Sequence, residues 1–271
     1  MARRRLDAEL VRRGLVATRS EAQVAVRDGL VLVGGRAAPK PSTMVDPGES
    51  LALIGPARRF VSRGGDKLDA ALDRFAIEAL GRRCLDAGAS TGGFTDCLLA
   101  RGAGHVVAVD VGYGQLAWSL RYDVRVTVME RMNLRDVRLA DLPYASELVV
   151  ADLSFISLRL VVPVFADVAA DGADLVLLVK PQFEAGPQDV GRGGVVRDEV
   201  VWSRCIEDVA RSCERAGLAP LAAMASPLAG PAGNVEFPLH ARKGVGAAAL
   251  DVATAIAEGR ALVTGGSESG S

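Results

Sequence analysis

The chain has 271 residues, 49% of them hydrophobic, which is enough for one large domain or for a small domain joined to a larger one. This composition excludes a disordered or fibrous protein, and the N-terminal residues MARRRLDAEL lack the apolar core of a signal peptide. The longest uncharged stretch, Gly217 to Val235, contains three prolines and three glycines, which make it a poor membrane span.

The four cysteines show neither a CxxC pair nor histidines at metal-ligand spacing. We therefore expect buried thiols and no bound metal. Together with the missing apolar segments, this pattern predicts a cytoplasmic protein without a membrane partner, and we expect it to be a monomer.

The net charge of −1 hides an asymmetry along the chain. Residues 1–63 contain 12 Arg and Lys against 6 Asp and Glu, a net charge of +6, whereas the remainder contains 20 against 27, a net charge of −7. A basic module on an acidic body favours nucleic-acid binding. A chance cluster of solvated arginines would give the same numbers.

The first 57 residues predict a small α+β module. The segment LDAELVRRGL has the apolar spacing of a short amphipathic helix, and TRSEAQVAVRDGLV predicts a second helix in which Ser20 and Gln23 form a capping box. Gly34 and Gly35 in LVLVGGRAA supply the positive φ angles of a tight hairpin. The segment KPSTMVDPGESLALI returns as a further strand after a proline-containing turn.

This order of helices, hairpin and arginines resembles the S4 RNA-binding domain. In that family the basic side chains approach RNA phosphates and position the domain without reading bases. The resemblance implies four phosphate contacts, at Arg4, Arg5, Arg19 and Lys40. Arg12 and Arg13 are equally compatible with solvated positions on a helix.

From residue 82 onward, apolar β-rich runs alternate with helical segments, which is typical of a parallel α/β sheet. The runs RCLDA, HVVAVD, RVTVME, ELVVAD and DLVLLVK end at or beside ionisable residues, namely Asp86, Asp110, Glu130, Asp152 and Lys180. Each residue alone is compatible with a solvated strand end. Because ligands bind at the carboxyl ends of the strands in open parallel sheets, five together predict a site at that edge.

The first loop indicates which ligand binds there. Its sequence, DAGASTGGFT, does not have the G-x-G-x-x-G spacing of a dinucleotide site. Acidic Asp86 would repel a phosphate and suits a positively charged group, while Asp110, 24 residues later, is placed to accept hydrogen bonds from both hydroxyls of a ribose. This combination fits S-adenosylmethionine. The residues that we predict to bind the cofactor are Asp86, Gly88, Ser90, Thr91, Gly92, Gly93, Asp110, Val111, Asn133 and Asp152.

Longer motifs make the resemblance specific. The segments SRGGDKL, LDAGASTGGFTD, AVDVGYGQLAWSLR, VVADLSFISL, LVKPQFE and GNVEF are similar to those of the TlyA family of ribosomal RNA 2′-O-methyltransferases, historically labelled hemolysins. The similarity covers essentially the whole chain. The family shares a K-D-K-E tetrad with FtsJ-type RNA ribose methyltransferases. The resemblance places this tetrad at Lys67, Asp152, Lys180 and Glu236.

The tetrad suits the chemistry that the resemblance implies. A ribose 2′-hydroxyl is a poor nucleophile, so it must lose its proton while it attacks the methyl group. A neutral amine can take that proton, and lysine is the side chain that loses its charge most readily on burial, whereas neighbouring carboxylates favour the charged form. Lys180 is therefore the predicted general base, oriented by Asp152. Lys67 and Glu236 are equally compatible with exposed positions.

Three further residues flank the predicted opening. The resemblance implies that Arg63 and Arg131 meet RNA phosphate and that Phe155 stacks on a base, although surface ion pairs and ordinary packing would use the same residue types. Asn133 is predicted to contact the adenine edge, with a local turn as the alternative. Phe60 stands in RRFV, where mycobacterial family members carry tryptophan, so we expect the aromatic packing to be kept and the indole N–H bond to be lost.

The sequence therefore predicts an α/β protein: a Rossmann-like class I methyltransferase domain preceded by a small S4-like domain. The predicted boundaries are 1–57 for the S4-like domain, 58–65 for a linker, 66–264 for the methyltransferase domain and 265–271 for a tail. The predicted function is methylation of cytidine 2′-hydroxyls in 16S and 23S ribosomal RNA, within 30S and 50S subunits, with capreomycin susceptibility as a consequence. The alternatives are a non-catalytic ribosome-assembly factor and a pore-forming hemolysin.

Overall fold

The computed structural model describes residues 3–16, 19–27, 29–54, 59–230, 232–246 and 249–265. By its internal contacts the chain divides into two units, Met1–Arg58 and Arg59–Ser271. Each unit has a hydrophobic core of its own. Apart from Gly265, the predicted tail over 265–271 lies outside the described residues.

The first unit combines short strands with two-to-three-turn helices. Its elements in chain order are β1 (Arg4–Arg5), α1 (Leu6–Arg12), α2 (Arg19–Arg27), β2 (Val31–Val33), β3 (Arg36–Ala37), β4 (Met44–Val45) and β5 (Leu51–Leu53). Strand β2 pairs with both β3 and β5, and β1 pairs with β4, all antiparallel. The predicted order of helices, hairpin and returning strand is confirmed.

Local chemistry explains this arrangement. Gly34 and Gly35 have φ angles of +58° and +80° in the turn between β2 and β3, as the hairpin prediction requires. Leu6 and Leu10 are fully buried because their spacing places them on one face of α1. The predicted capping box is wrong in register, since Ser20 lies inside α2, which already begins at Arg19.

The second unit contains the remaining elements. They are α3 (Arg63–Arg74), β6 (Arg83–Ala87), α4 (Gly93–Ala100), β7 (His105–Asp110), α5 (Trp118–Arg121), β8 (Val126–Glu130), β9 (Ser146–Ala151), α6 (Val162–Val168), β10 (Ala169–Val179), α7 (Pro181–Glu184), α8 (Glu199–Arg215), β11 (Leu218–Ala223), β12 (Phe237–Lys243) and α9 (Val252–Gly265).

The strands form one seven-stranded sheet in the order β11-β12-β10-β9-β6-β7-β8. Strands β6 to β10 are parallel to one another, which confirms the five predicted runs, whereas β12 is antiparallel to both β10 and β11. Strands β7 and β8 lie on one side of β6 in the sheet, and β9 and β10 lie on the other, so the strand order reverses between β6 and β9. A switch point of this kind opens a crevice at the carboxyl ends of the two strands.

Helices cover both faces of the sheet. Residues of α3, α4 and α5 pack with one core cluster, and residues of α6, α8 and α9 pack with the other. This is the layered, Rossmann-like arrangement predicted from the alternation of strands and helices. Within the described ranges, no helix is both long enough and apolar enough to span a bilayer.

Part of the predicted linker is already structured. Ser62 caps α3 by accepting a hydrogen bond from the Gly64 amide at 3.3 Å, so the helix begins at Arg63, inside the range 58–65. Phe60 is buried, and a Cβ atom at Gly65 would overlap its ring. The aromatic packing expected for Phe60 is therefore present.

The four cysteines are free and buried, as predicted. Burial raises the pKa of each thiol to about 12, so all four are inert at neutral pH. In the part of the chain that the structure describes, no group of three or more His, Cys, Asp or Glu side chains is arranged to hold a metal ion.

Candidate active site

A cavity of about 550 Å³ lies at the switch point, outside the carboxyl ends of β6, β7 and β9. Its volume falls in the range of small-molecule sites in proteins. Six of the residues predicted to bind the cofactor line it: Gly88, Ser90, Asp110, Val111, Asn133 and Asp152. The predicted edge of the sheet thus carries a ligand-sized cavity.

Asp110, the last residue of β7, is held firmly at this cavity. One carboxylate oxygen accepts the Ser90 amide at 2.8 Å, and the other accepts the Gly112 amide at 2.6 Å. Each carboxylate oxygen keeps a second lone pair. Asp110 is therefore oriented by the backbone and still able to accept hydrogen bonds from two ligand hydroxyls.

Gly88 allows the backbone of β6 to approach the residues after β9. Its φ angle is +86°, and a Cβ atom there would lie 2.7 Å from the carbonyl oxygen of Asp152 and 2.7 Å from the Leu153 side chain. Glycine is required here both by backbone conformation and by close contact. This approach forms the floor of the cavity.

Four residues predicted to bind the cofactor do not line the cavity: Asp86, Thr91, Gly92 and Gly93. Asp86 has no exposed surface. Side chains alternate between the two faces of a strand, so Asp86 points to the same face of the sheet as Cys84, which packs in the core cluster with residues of α3, α4 and α5. One of its oxygens accepts the Thr95 hydroxyl at 2.6 Å, and the other has no hydrogen-bond partner among the residues that the structure describes. Burial raises the pKa of Asp86 to about 7.

The other three residues have packing roles in the same loop. The Thr91 carbonyl accepts the Ala117 amide at 3.2 Å. Gly92 has a φ angle of +97°, and a Cβ atom there would overlap Leu120. A Cβ atom at Gly93 would overlap the Ser62 hydroxyl. These glycines bring α4 against α3 and α5.

Asn133 has the local turn role considered for it and also lies at the cavity. Its side chain lines the cavity, and its Oδ1 atom accepts the Arg135 amide at 3.1 Å in the turn after β8. The Nδ2 donors remain available for a ligand.

The four tetrad residues form two ion pairs. Lys180 Nζ lies 2.6 Å from Asp152 Oδ1, and Lys67 Nζ lies 2.6 Å from Glu236 Oε2. Lys67, Lys180 and Glu236 are buried, so the alternative of exposed positions for Lys67 and Glu236 is wrong. Buried charges require such partners.

The sheet explains why the two pairs share one edge. Lys180 directly follows β10, whose last residue, Val179, pairs with Phe237, the first residue of β12. Since the two strands are antiparallel, Lys180 and Glu236 lie one step beyond that pair. Asp152 directly follows β9, the other neighbour of β10.

The loop after β9 connects the tetrad with the cavity. Ser154 lines the cavity and accepts a hydrogen bond from Lys180 Nζ at 3.2 Å. Phe155 is 91% exposed and has a φ angle of +64°, and its ring lies 5.2 Å from that of Phe183. A strained, exposed aromatic residue at the mouth of a cavity is suited to ligand contact.

The remaining residues predicted to contact RNA are distributed over both units. In the second unit, Arg131 is exposed and stacks over the Tyr113 ring at 4.2 Å, and Arg63 is half-buried at the start of α3. In the first unit, Arg4 and Lys40 are exposed.

Two arginines of the first unit share a buried carboxylate. Arg5 and Arg19 lie 2.8 Å and 3.2 Å from Asp7, and their hydrogen bonds hold the pKa of Asp7 well below its usual range. Arg12 and Arg13 pair with Glu9 in the same way, so they are not simply solvated. The arginines are thereby held in place at the surface.

Sequence reasoning missed several residues that line the cavity: Gln115, Met132, Leu134, Leu153, Ser154 and Ile156. All of them lie in segments that follow a strand of the parallel sheet, and these segments show no regular hydrophobic pattern. Position after a strand is the signal that could have identified them.

Comparison with known proteins agrees with this geometry. The sequence model of the FtsJ-like methyltransferase family matches residues 60–243, and that of the S4 domain matches residues 4–51. The fold, the cavity and these matches define an S-adenosylmethionine-dependent methyltransferase of the Rossmann-like class with an N-terminal S4 domain.

Individual relatives identify the family within this class of methyltransferases. The Mycobacterium tuberculosis 16S/23S rRNA (cytidine-2′-O)-methyltransferase TlyA is 53% identical, covering 89% of this chain and 91% of the relative. The 23S rRNA (cytidine-2′-O)-methyltransferase TlyA of Campylobacter jejuni is 34% identical over 66% of this chain and 69% of the relative. A solved structure from Streptococcus thermophilus, named as a hemolysin, has 38% identity, a TM-score of 0.79 and coverage of 99% of both chains. This chain belongs to the TlyA family.

The residues at the cavity fit the cofactor of this class. Asp110 offers two oriented acceptors for ribose hydroxyls, Asn133 offers donors for a base edge, and Gly88 leaves room for close approach of a ligand. Acidic Asp152 faces the same space and suits the positive charge of a sulfonium.

Proposed function

We propose that this protein methylates the 2′-hydroxyl of cytidine in ribosomal RNA. The observation that carries the proposal is the pair of lysine–carboxylate contacts, Lys180–Asp152 and Lys67–Glu236, beside the cavity at one sheet edge. The names of the relatives from Mycobacterium tuberculosis and Campylobacter jejuni support both the substrate and the position of the methyl group.

Bound S-adenosylmethionine supplies the electrophilic methyl group. Lys180 acts as the general base and takes the proton of the 2′-hydroxyl onto Nζ as the oxygen attacks. Asp152 fixes the direction of the amine and stabilises the ammonium that forms. Holding the hydroxyl in this geometry contributes much of the rate, because the reacting groups no longer need to find each other.

Lys67 and Glu236 hold the ribose. As a buried pair, they keep a fixed donor and a fixed acceptor beside Lys180, and a sugar carries hydroxyls that can bond to both. Removal of either partner would leave the other charge buried and unpaired, which is strongly unfavourable.

The remaining predicted contacts belong to RNA binding. Arg4, Arg5, Arg19 and Lys40 of the S4 domain meet phosphates, as do Arg63 and Arg131 of the second unit, while Phe155 stacks on a base. Both 16S and 23S RNA are proposed substrates. The relative that is named for both is more similar, at 53% identity, than the relative named for 23S alone, at 34%.

The test of the base compares two variants at Lys180. In single-turnover assays at saturating cofactor and rRNA, Lys180→Ala should lower methyl transfer by about two to four orders of magnitude, the usual contribution of a positioned base. Lys180→Arg should fail almost as badly, because arginine stays protonated. A near-normal rate for the arginine variant would show that the residue acts only as a cation.

The substrate is tested separately. Transfer of a tritiated methyl group to isolated 30S and 50S subunits, followed by mapping of the modified nucleotide, should give one labelled 2′-O-methylcytidine in each. Label in one subunit only would restrict the substrate, and label on a base would contradict ribose methylation.

A further inference from the structure

The amine of Lys180 has two polar partners in the described part of the chain. Asp152 Oδ1 lies at 2.6 Å, and the Ser154 hydroxyl lies at 3.2 Å. The Phe183 ring has its centre 5.9 Å from Nζ and supplies no lone pair. Two acceptors therefore lie beside Nζ, and a third direction around the nitrogen remains for a substrate atom.

Two acceptors are the number that a base of this type requires. A neutral amine carries two N–H donors and one lone pair. Nζ donates one hydrogen bond to Ser154, whereas Asp152 Oδ1 lies 2.6 Å away as an ion-pair partner without hydrogen-bond geometry. If the second N–H of the neutral amine is turned toward Asp152, the lone pair occupies the third direction, and the bond to Ser154 restricts rotation about the last carbon–nitrogen bond. With Asp152 alone, the lone pair can occupy either of two positions.

Ser154 is held in place by its loop. Three residues after it, the Ser157 hydroxyl donates to Glu184 at 2.6 Å, and the Leu158 amide donates to the same carboxylate at 2.6 Å. Glu184 is buried in α7, which begins directly after Lys180. The loop that carries Ser154 and the helix that follows Lys180 are therefore tied together.

We propose that Ser154 is a positioning residue that directs the lone pair of Lys180 toward the ribose hydroxyl. This inference rests on the proposed function, in which Lys180 is the base. The proton moves from the 2′-oxygen to Nζ, and the resulting ammonium keeps its hydrogen bond to Ser154 and its ion pair with Asp152. Ser154 itself gains and loses no proton.

A hydrogen bond in the opposite direction, from Ser154 to Lys180, would have a different effect. If the serine hydroxyl donated to the lone pair instead, it would compete with the substrate, and its removal would raise the rate. Ser154→Ala therefore distinguishes the two by the direction of change. We expect the single-turnover rate at high pH to fall roughly tenfold to a hundredfold, the scale of a small misplacement of a reacting group.

A pH profile separates positioning from a general structural effect. The serine oxygen stabilises the ammonium, so its removal should move the rise of the rate to lower pH while the plateau falls. Ser154→Thr keeps the hydroxyl and should regain most of the rate. Ser203→Ala, which removes a hydroxyl bonded to Glu207 within α8, is the matched control and should leave the position of the rise unchanged.

Binding must be measured alongside. The dissociation constants for S-adenosylmethionine and for rRNA should change less than the rate in Ser154→Ala. An unchanged or faster rate, or equal pH profiles for the two alanine variants, would overturn the role of Ser154. Lys180→Ala in the same assay keeps the two proposals apart, since an active Lys180→Ala protein would refute the base itself.

Discussion

A carboxylic acid with no exposed surface, Asp86, is the penultimate residue of β6, an interior strand of the sheet. Burial is the main cause that raises its pKa to about 7, and the Thr95 hydroxyl acts in the opposite direction. The folded protein therefore binds a proton there that the unfolded chain releases near pH 4. Its stabilising contribution is complete at low pH and is lost as pH rises through about 7.

Asp86→Asn tests this linkage. In the native protein, the free energy of unfolding should fall by up to about 1.4 kcal/mol per pH unit between the two pKa values. The asparagine side chain does not titrate, so the variant should show a flatter dependence. Urea denaturation from pH 5 to pH 8 measures both slopes. Asp66→Asn, at an exposed position, serves as the control, and parallel curves for native and Asp86→Asn proteins would contradict the linkage.

At the scale of elements, the meeting of the β6 loop with the end of β9 shapes the cavity. Part of this arrangement follows from sequence: five apolar runs with polar ends predict parallel strands and a site at their carboxyl edge. The antiparallel β12 was not predicted, because its pairing with β10 joins segments that are distant in sequence and Pro238 interrupts the run. The antiparallel direction brings Glu236, the residue before β12, to the same edge.

The roles of Asp86 and Ser154 also could not be predicted from the sequence. A strand-end acid can face a ligand or a helix, and the choice depends on which helix packs over it. Ser154 has no signal of its own in the sequence, because its role depends on the distance between two loops.

Two glycines in the positive-φ region provide a test of the close approach. Gly172→Ala should cost about 1 kcal/mol from backbone strain alone, since no atom lies within 4 Å of the added Cβ. Gly88→Ala has similar strain and also meets Asp152 and Leu153, so it should cost about 1–3 kcal/mol more. Urea denaturation measures both, and equal losses would mean that the contact relaxes freely. Affinity for S-adenosylmethionine should fall in Gly88→Ala alone.

At the scale of the whole molecule, charge and chemistry are divided between two units. The first unit has a net positive charge, with 10 Arg and Lys against 6 Asp and Glu, whereas the second has 22 against 27 and contains the cavity and all four tetrad residues. Each unit has a separate core, so the second should fold without the first.

Deletion of residues 1–58 should therefore leave a folded protein that binds S-adenosylmethionine with normal affinity, measured by calorimetry. Methylation of ribosomal subunits should be lost, because the phosphate contacts of the S4 domain are absent. Full-length protein with Arg4 and Lys40 changed to alanine is the matched comparison and should show a partial loss. A truncated protein that methylates subunits at the normal rate would show that the basic unit is only a solvated surface.

The contact between Lys67 and Glu236 joins residues 169 positions apart. A ribosome adds roughly 5–20 residues per second, so Glu236 is synthesised on the order of ten to thirty seconds after Lys67. During that interval the lysine has no carboxylate to neutralise it, and β12 does not yet exist to complete the sheet. An incomplete chain therefore cannot contain the paired site, and the enzyme acquires its proposed chemistry late in its own synthesis, on the type of particle that it is proposed to modify.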